Sequence, residues 1–324
     1  MPQANQSHSS APSVGPGVLL AMLGAVGVPA TITLNTVRIP ATLQLTDPNP
    51  TPHGYTWSLA LFIVPILVIA LWFVTHKRVQ FSRRAFRWTI AILVPLGFGL
   101  DFWFGNLFFR FPNAGATLGI GAPALGGSVP IEEYLFYTTG FIAILLTYIW
   151  LDEFWLSAYN VPDYPGEAKR LPRLLQFHPT SLLLGVVLIA MGVLYKKLLS
   201  PSPEGFPGYF TFLVAGAFIP AMGFFPAARP FINWRAFSLT LFLVVLVSLL
   251  WEATLAIPYG WWGYRPRSML GLSIGAWAGL PLEAVCVWIA VTYATAILFE
   301  TLKLWQASER KARHAFLGSK DPRP

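Results

Sequence analysis

Charge is scarce in this chain: Asp, Glu, Lys and Arg make up 11% of its 324 residues, against 55% hydrophobic residues and a mean hydropathy of +0.58. That balance excludes an ordinary soluble domain. Cysteine is nearly absent, and the one present, Cys286, lies inside an apolar run, which excludes an internal disulfide and a cysteine-built zinc site. The five histidines (His8, His53, His76, His178 and His314) are scattered through termini and loops, so neither a metal nor a cofactor is expected. The glycines of LGIGAPALGG do not spell G-x-G-x-x-G and follow no strand, which removes a nucleotide fingerprint. The net charge of +8 does not point to nucleic acid, because the 22 Lys and Arg residues fall in short clusters between apolar runs. Cytoplasmic loops of membrane proteins have that pattern, and the expected partner is a lipid bilayer.

What is abundant is apolar sequence in helix-length runs. Hydropathy predicts an all-α integral-membrane fold of about seven transmembrane helices, over roughly 57–75, 88–109, 129–151, 179–199, 207–226, 236–257 and 280–300. Residues 1–56 read as a leader; within it 17–35 is an extra helix or an interfacial segment, and the missing basic n-region argues against a signal peptide. The body divides into a first repeat (57–151), a linker with the fourth helix (152–206), a second repeat (207–300) and a basic tail (301–324). If the first span starts outside, 16 of the 22 basic residues fall inside and six outside (Arg38, Arg110, Lys196, Lys197, Arg265, Arg267). The positive-inside rule then predicts a multi-pass protein of the cell membrane with a cytoplasmic C-terminus.

A shift of 151 positions lays the chain on itself. Arg84-Ala85-Phe86 with Thr89 falls on Arg235-Ala236-Phe237 with Thr240, Asp101 on Glu252, and Pro130-Ile131-Glu132 on Pro281-Leu282-Glu283. With three spans per half and one linking helix, the second half re-enters in the orientation of the first, so the prediction is two parallel three-helix repeats. The repeat also moves the start of the last helix from about 272 to near Pro281, since proline suits the first turn. LGIGAPALGGSV and LGLSIGAWAGL become matching glycine-rich approaches.

Ionisable residues within spans cost on the order of 2.5–3.5 kcal/mol each on insertion scales and are functional candidates by default. Five acids qualify, all in the predicted outer half: Asp101, Glu132, Glu133, Glu252 and Glu283. A carboxylate in the first turn of a helix is also an ordinary partner for the free N–H groups and the dipole. The dipole favours the anion and apolar surroundings the neutral acid, and the second effect is expected to win for at least one acid, since VPIEEYLFY and LPLEAVCVWIA carry no basic neighbour. Adjacent helical residues point about 100° apart, so Glu132 and Glu133 do not face one point; Glu132 shares the face of Phe136 and Thr139, and Glu283 that of Val287. Aromatics crowd these acids in WEATLAIPYGWWGYRP and DFWFGNLFFRFP. Trp103, Phe136, Trp261, Trp262 and Trp288 are candidate substrate-binding residues, by cation–π shielding of a carbocation, against the alternative of an interfacial aromatic belt.

VPIEEYLFY and its partner LPLEAVCVW resemble the Pro-x-Glu-Glu motifs of the integral-membrane lycopene cyclases, a likeness that covers roughly residues 57–300. In that family two three-helix units act together, as a heterodimer or fused. The resemblance implies isomerisation of the linear ends of lycopene to ionone rings, without net redox change, on a hydrophobic carotenoid or other isoprenoid. It also implies protein partners of two kinds, a second copy of the chain or other carotenoid enzymes. The second motif departs from the pattern, with Ala284 where the first half has Glu133. The expected chemistry is protonation of a terminal double bond by Glu132 or Glu133, ring closure, and return of a proton to Glu283 or another acid. Two alternatives stand beside it: another terpenoid cyclase or a carotenoid hydratase using the same acids, and a proton-coupled transporter.

Overall fold

The structure is a computed structural model that describes residues 51–76, 81–161, 165–275 and 277–318, together with Leu20, Gly24, Gly27 and Val28. The leader segment 17–35 otherwise lies outside the described residues, as do Lys77, Arg78, Lys320 and Arg323.

The fold is all-α and integral to the membrane, with seven helices among the described residues long and apolar enough to span it: α1 (Gly54–Thr75), α2 (Arg83–Phe108), α3 (Ile131–Trp155), α5 (Pro179–Leu198), α6 (Gly208–Phe231), α7 (Trp234–Ala256) and α8 (Leu282–Ser308). Two short helices, α4 (Pro165–Arg170) and α9 (Ala312–Leu317), pack at the C-terminal end of the bundle. Helix α8 is the central element, packed on α2, α3, α6 and α7. Helix α1 turns Trp57, Leu61, Val64 and Leu71 outward, and only a hydrocarbon surrounding makes such a surface stable.

The repeat extends to the caps. Ser82 and Asn233, 151 positions apart, each begin a helix by accepting a hydrogen bond from the third residue on, Ala85 N and Ala236 N, both at 3.2 Å. Two different side chains thus do one job. Thr89 and Thr240 each donate back to the carbonyl four residues earlier, both at 2.8 Å. Pro130 and Pro281 both occupy the N-cap, in extended backbone, so the last helix begins where the internal repeat places it.

The glycine-rich approaches are antiparallel hairpins, which the sequence did not reveal. Strands β2 (Gly121–Ala124) and β3 (Gly127–Pro130) form one; β5 (Ser273–Ile274) and β6 (Leu280–Pro281) form the other. Gly121 pairs with Pro130 and Ser273 with Pro281, so the second hairpin is one residue shorter and the repeat shift becomes 152 upstream of it. The halves are tied by a third ribbon, β1 (Phe109–Arg110) with β4 (Gly263–Tyr264). Arg265 reinforces it, donating its backbone N–H to Phe108 O and its Nε to Phe109 O, each at 2.9 Å.

The basic tail begins later than hydropathy places it. Helix α8 runs on to Ser308 with residues 301–304 buried. Helix α9 is held to the linker by Leu174 N–H to Ala315 O (2.8 Å) and Leu175 N–H to Phe316 O (3.1 Å).

Candidate acid chamber

The consecutive acids of α3 meet consecutive residues of α1. Glu132 accepts hydrogen bonds from the Thr56 hydroxyl and, at 2.8 Å, from Leu118 N–H; Glu133 accepts one from the Tyr55 hydroxyl at 2.6 Å. Glu132 is fully buried and faces the loop before β2, whereas Glu133 faces the interior of the bundle. Glu283 repeats the role of Glu132, accepting from Leu270 N–H, the residue 152 positions after Leu118. The Pro-x-Glu acid of each half is therefore a loop anchor. Glu283 also has a basic electrostatic neighbour that its own segment does not supply, Lys196 of α5. The Lys196 ammonium is buried and donates to Pro266 O (3.0 Å) and Ser202 Oγ (3.2 Å).

A buried backbone N–H left without its acceptor costs about 1–3 kcal/mol. Glu283→Ala is accordingly expected to lower stability by roughly 2 kcal/mol. Thermal unfolding of the purified protein in detergent checks this, and an unchanged midpoint would count against the anchor.

Glu252 reaches the interior from the other half. It begins a π-helical turn, Glu252–Ala256, at the end of α7. Two further π-helical turns occur among the described residues, Leu151–Trp155 and Val214–Phe218. Its two oxygens accept from the Tyr264 hydroxyl (2.6 Å) and the Trp288 indole N–H (3.0 Å). Burial, and then the adjacent Glu252 carboxylate, hold the Tyr264 phenol well above the ordinary tyrosine range, so it remains an O–H donor at neutral pH.

Glu133 and Glu252 line one small chamber. The first half contributes Tyr55, Phe109, Phe136 and Tyr137 to its wall, the second Tyr209, Trp262, Tyr264 and Trp288. Phe109 and Tyr264 are paired residues of the ribbon that joins the halves, so that ribbon forms part of the enclosure. The rings are in mutual contact: Phe136 lies 5.6 Å from both Trp251 and Trp288, Trp251 4.9 Å from Trp262, and Tyr55 5.0 Å from Trp262, centroid to centroid. Aromatic faces around two carboxylic acids, out of water, suit a transient cation.

The five candidate acids thus divide. Glu133 and Glu252 face the chamber; Glu132 and Glu283 do not, because each is turned back onto its loop. Asp101, the repeat mate of Glu252, is fully buried on α2 outside the chamber wall and is an electrostatic neighbour of Glu133. Among the candidate aromatics, Phe136, Trp262 and Trp288 line the chamber. Trp261 stands behind Tyr55, stacked at 6.1 Å, with its indole N–H on Thr51 Oγ1 at 2.9 Å. Trp103 is 58% exposed, since two helical positions beyond the inward Asp101 it points roughly 200° away, to lipid. Tyr55, Tyr137 and Tyr209 were missed; their signal is a hydroxyl in an apolar span, which needs a partner when buried.

The opposite end of the bundle holds a second buried polar group that hydropathy passed over. Glu300 and Lys303 of α8 pair at 3.2 Å with side chains 0% and 4% exposed, and the Tyr148 hydroxyl of α3 donates to Glu300 at 2.9 Å. No protein-family model, curated protein or solved structure matches the chain.

Proposed function

We propose that the chain is a membrane cyclase that closes the linear ends of lycopene, or of a closely related open-chain carotenoid, by proton-initiated isomerisation without redox change. The observation that carries this reading is the convergence of Glu133 and Glu252, one from each half, on a single aromatic-walled chamber. The motif likeness in VPIEEYLFY supplies the substrate class. The charge asymmetry of the loops supports an outward acid end and a cytoplasmic C-terminus.

The hydrogen bonds support a division of roles. Among the described residues Glu133 receives one donor, on Oε1, which leaves Oε2 available for a proton. Glu252 receives two, an arrangement that suits a carboxylate. Protonated Glu133 delivers its proton to the terminal double bond, giving a tertiary cation. The π electrons of an internal double bond attack that cation and form the ring carbon–carbon bond. The ring cation, shielded by Phe136, Trp262 and Trp288, loses a proton to the Glu252 carboxylate. One proton enters and one leaves, so product and substrate are isomers.

The test is pigment analysis of a lycopene-accumulating host that expresses the chain. A product of unchanged mass with cyclic ends is expected. A product heavier by one water would replace cyclisation with hydration, and unaltered pigment with proton-dependent uptake in vesicles would replace it with transport. Within the same assay, Tyr55→Phe removes the one donor to Glu133 among the described residues and is expected to lower conversion about tenfold or more. Wild-type conversion by that variant would remove Tyr55 from the mechanism.

A further inference from the structure

The chamber has a neighbour. An apolar groove lies between α1, α3 and α7 and shares Phe136, Gly140 and Trp288 with the acid chamber. Its walls are Leu59, Phe62 and Ile66 of α1 and Leu243 and Val247 of α7, and along α3 it reaches Thr147. Eleven residues of helix between Phe136 and Thr147 correspond to about 16 Å. Both α1 and α7 pack on α3. Across the groove they meet near the acid end, where the Trp251 indole N–H donates to Ser58 Oγ and Phe62 packs edge-on to Trp251 at 5.4 Å. Val247, one turn further from that closure, is 47% exposed, so the groove opens sideways to the hydrocarbon.

At the junction stands a glycine within a helix, a position that costs stability unless something needs the space. A Cβ built on Gly140 meets only Trp288 Cζ3, at 4.0 Å. Among the described residues no packed neighbour requires the glycine, and a larger side chain would stand where the two cavities adjoin.

We infer that Gly140 is the neck of a sideways path, through which a rigid open-chain polyene lying in the groove between α1 and α7 threads one end to Glu133 and Glu252. The identity of the occupant rests on the proposed function; the path itself rests on the two cavities and the glycine between them. A conjugated chain is stiff, so blocking the neck also expels it from the groove.

The experiment is a size series, Gly140→Ala, Gly140→Leu and Gly140→Phe, with the lipid-facing Leu61→Phe as control for expression and folding. Conversion is measured in the lycopene-accumulating host, and binding by quenching of tryptophan fluorescence when lycopene is added to the purified full chain in detergent. Conversion and affinity are expected to fall together with side-chain volume, at least tenfold at Phe, while Glu133→Gln still binds. Wild-type conversion by Gly140→Phe, or lost conversion with undiminished binding, would overturn the neck, as would a wild-type chain that binds no lycopene. If the wild-type chain binds lycopene without converting it and Gly140→Phe does not bind, the neck stands and the cyclase reading falls.

Discussion

Glu133→Gln is expected to abolish cyclic product, with a loss of about 10²–10⁴-fold, the span that one general acid contributes. Glutamine keeps the size of the side chain and can still accept from the Tyr55 hydroxyl, so the protein should reach wild-type levels in the membrane. Only the proton is removed. The comparison that gives this result its meaning is Glu132→Gln. Its carboxylate anchors the loop before β2 outside the chamber, and its replacement should lower stability more than turnover of the surviving protein. If Glu132→Gln stops the reaction in well-folded protein and Glu133→Gln does not, the donor has been assigned to the wrong member of the pair.

The second large effect concerns stability. Glu300 lies fully buried between Tyr148 and Lys303, and removal of one member of a buried ion pair typically costs about 3–5 kcal/mol. Glu300→Ala is therefore expected to lower the unfolding midpoint in detergent more than any chamber variant, whereas Glu300→Gln, which still accepts from Tyr148, should lose less. Size-exclusion profiles before and after heating provide the measurement. A midpoint equal to that of the wild type would make the pair dispensable.

The architecture was legible because bilayer insertion imposes a length and a polarity on every span, and the chain writes both plainly. The repeat added what hydropathy lacks, a boundary at Pro281. The acids were legible as a set but not as individuals. In Glu132-Glu133 the sequence places both carboxylates in the first turn of one helix, and what separates them is contributed from afar: Tyr55 and Thr56 lie 78 and 76 residues upstream. The Pro-x-Glu motif drew attention to Glu132 and Glu283, the anchors, while the chamber uses the acid one place later in the first half and Glu252 in the second. Ala284 fits this division, being buried against Leu249 and Leu280 rather than in the chamber wall. The hairpins were illegible for a different reason: strands of two to four residues are too short to show alternation. Glu300 and Lys303 were overlooked because they sit at the polar edge of a hydropathic run, where a buried pair and a solvated one read alike.

The two buried polar clusters occupy opposite ends of the same two helices. Fifteen residues of α3 separate Glu133 from Tyr148 and seventeen of α8 separate Glu283 from Glu300, about 22 and 25 Å of helix. At such distances energetic effects add. The molecule therefore carries its own internal control. Glu133→Gln should change turnover without moving the melting curve, Glu300→Ala should do the reverse, and the two combined should show both defects undiminished.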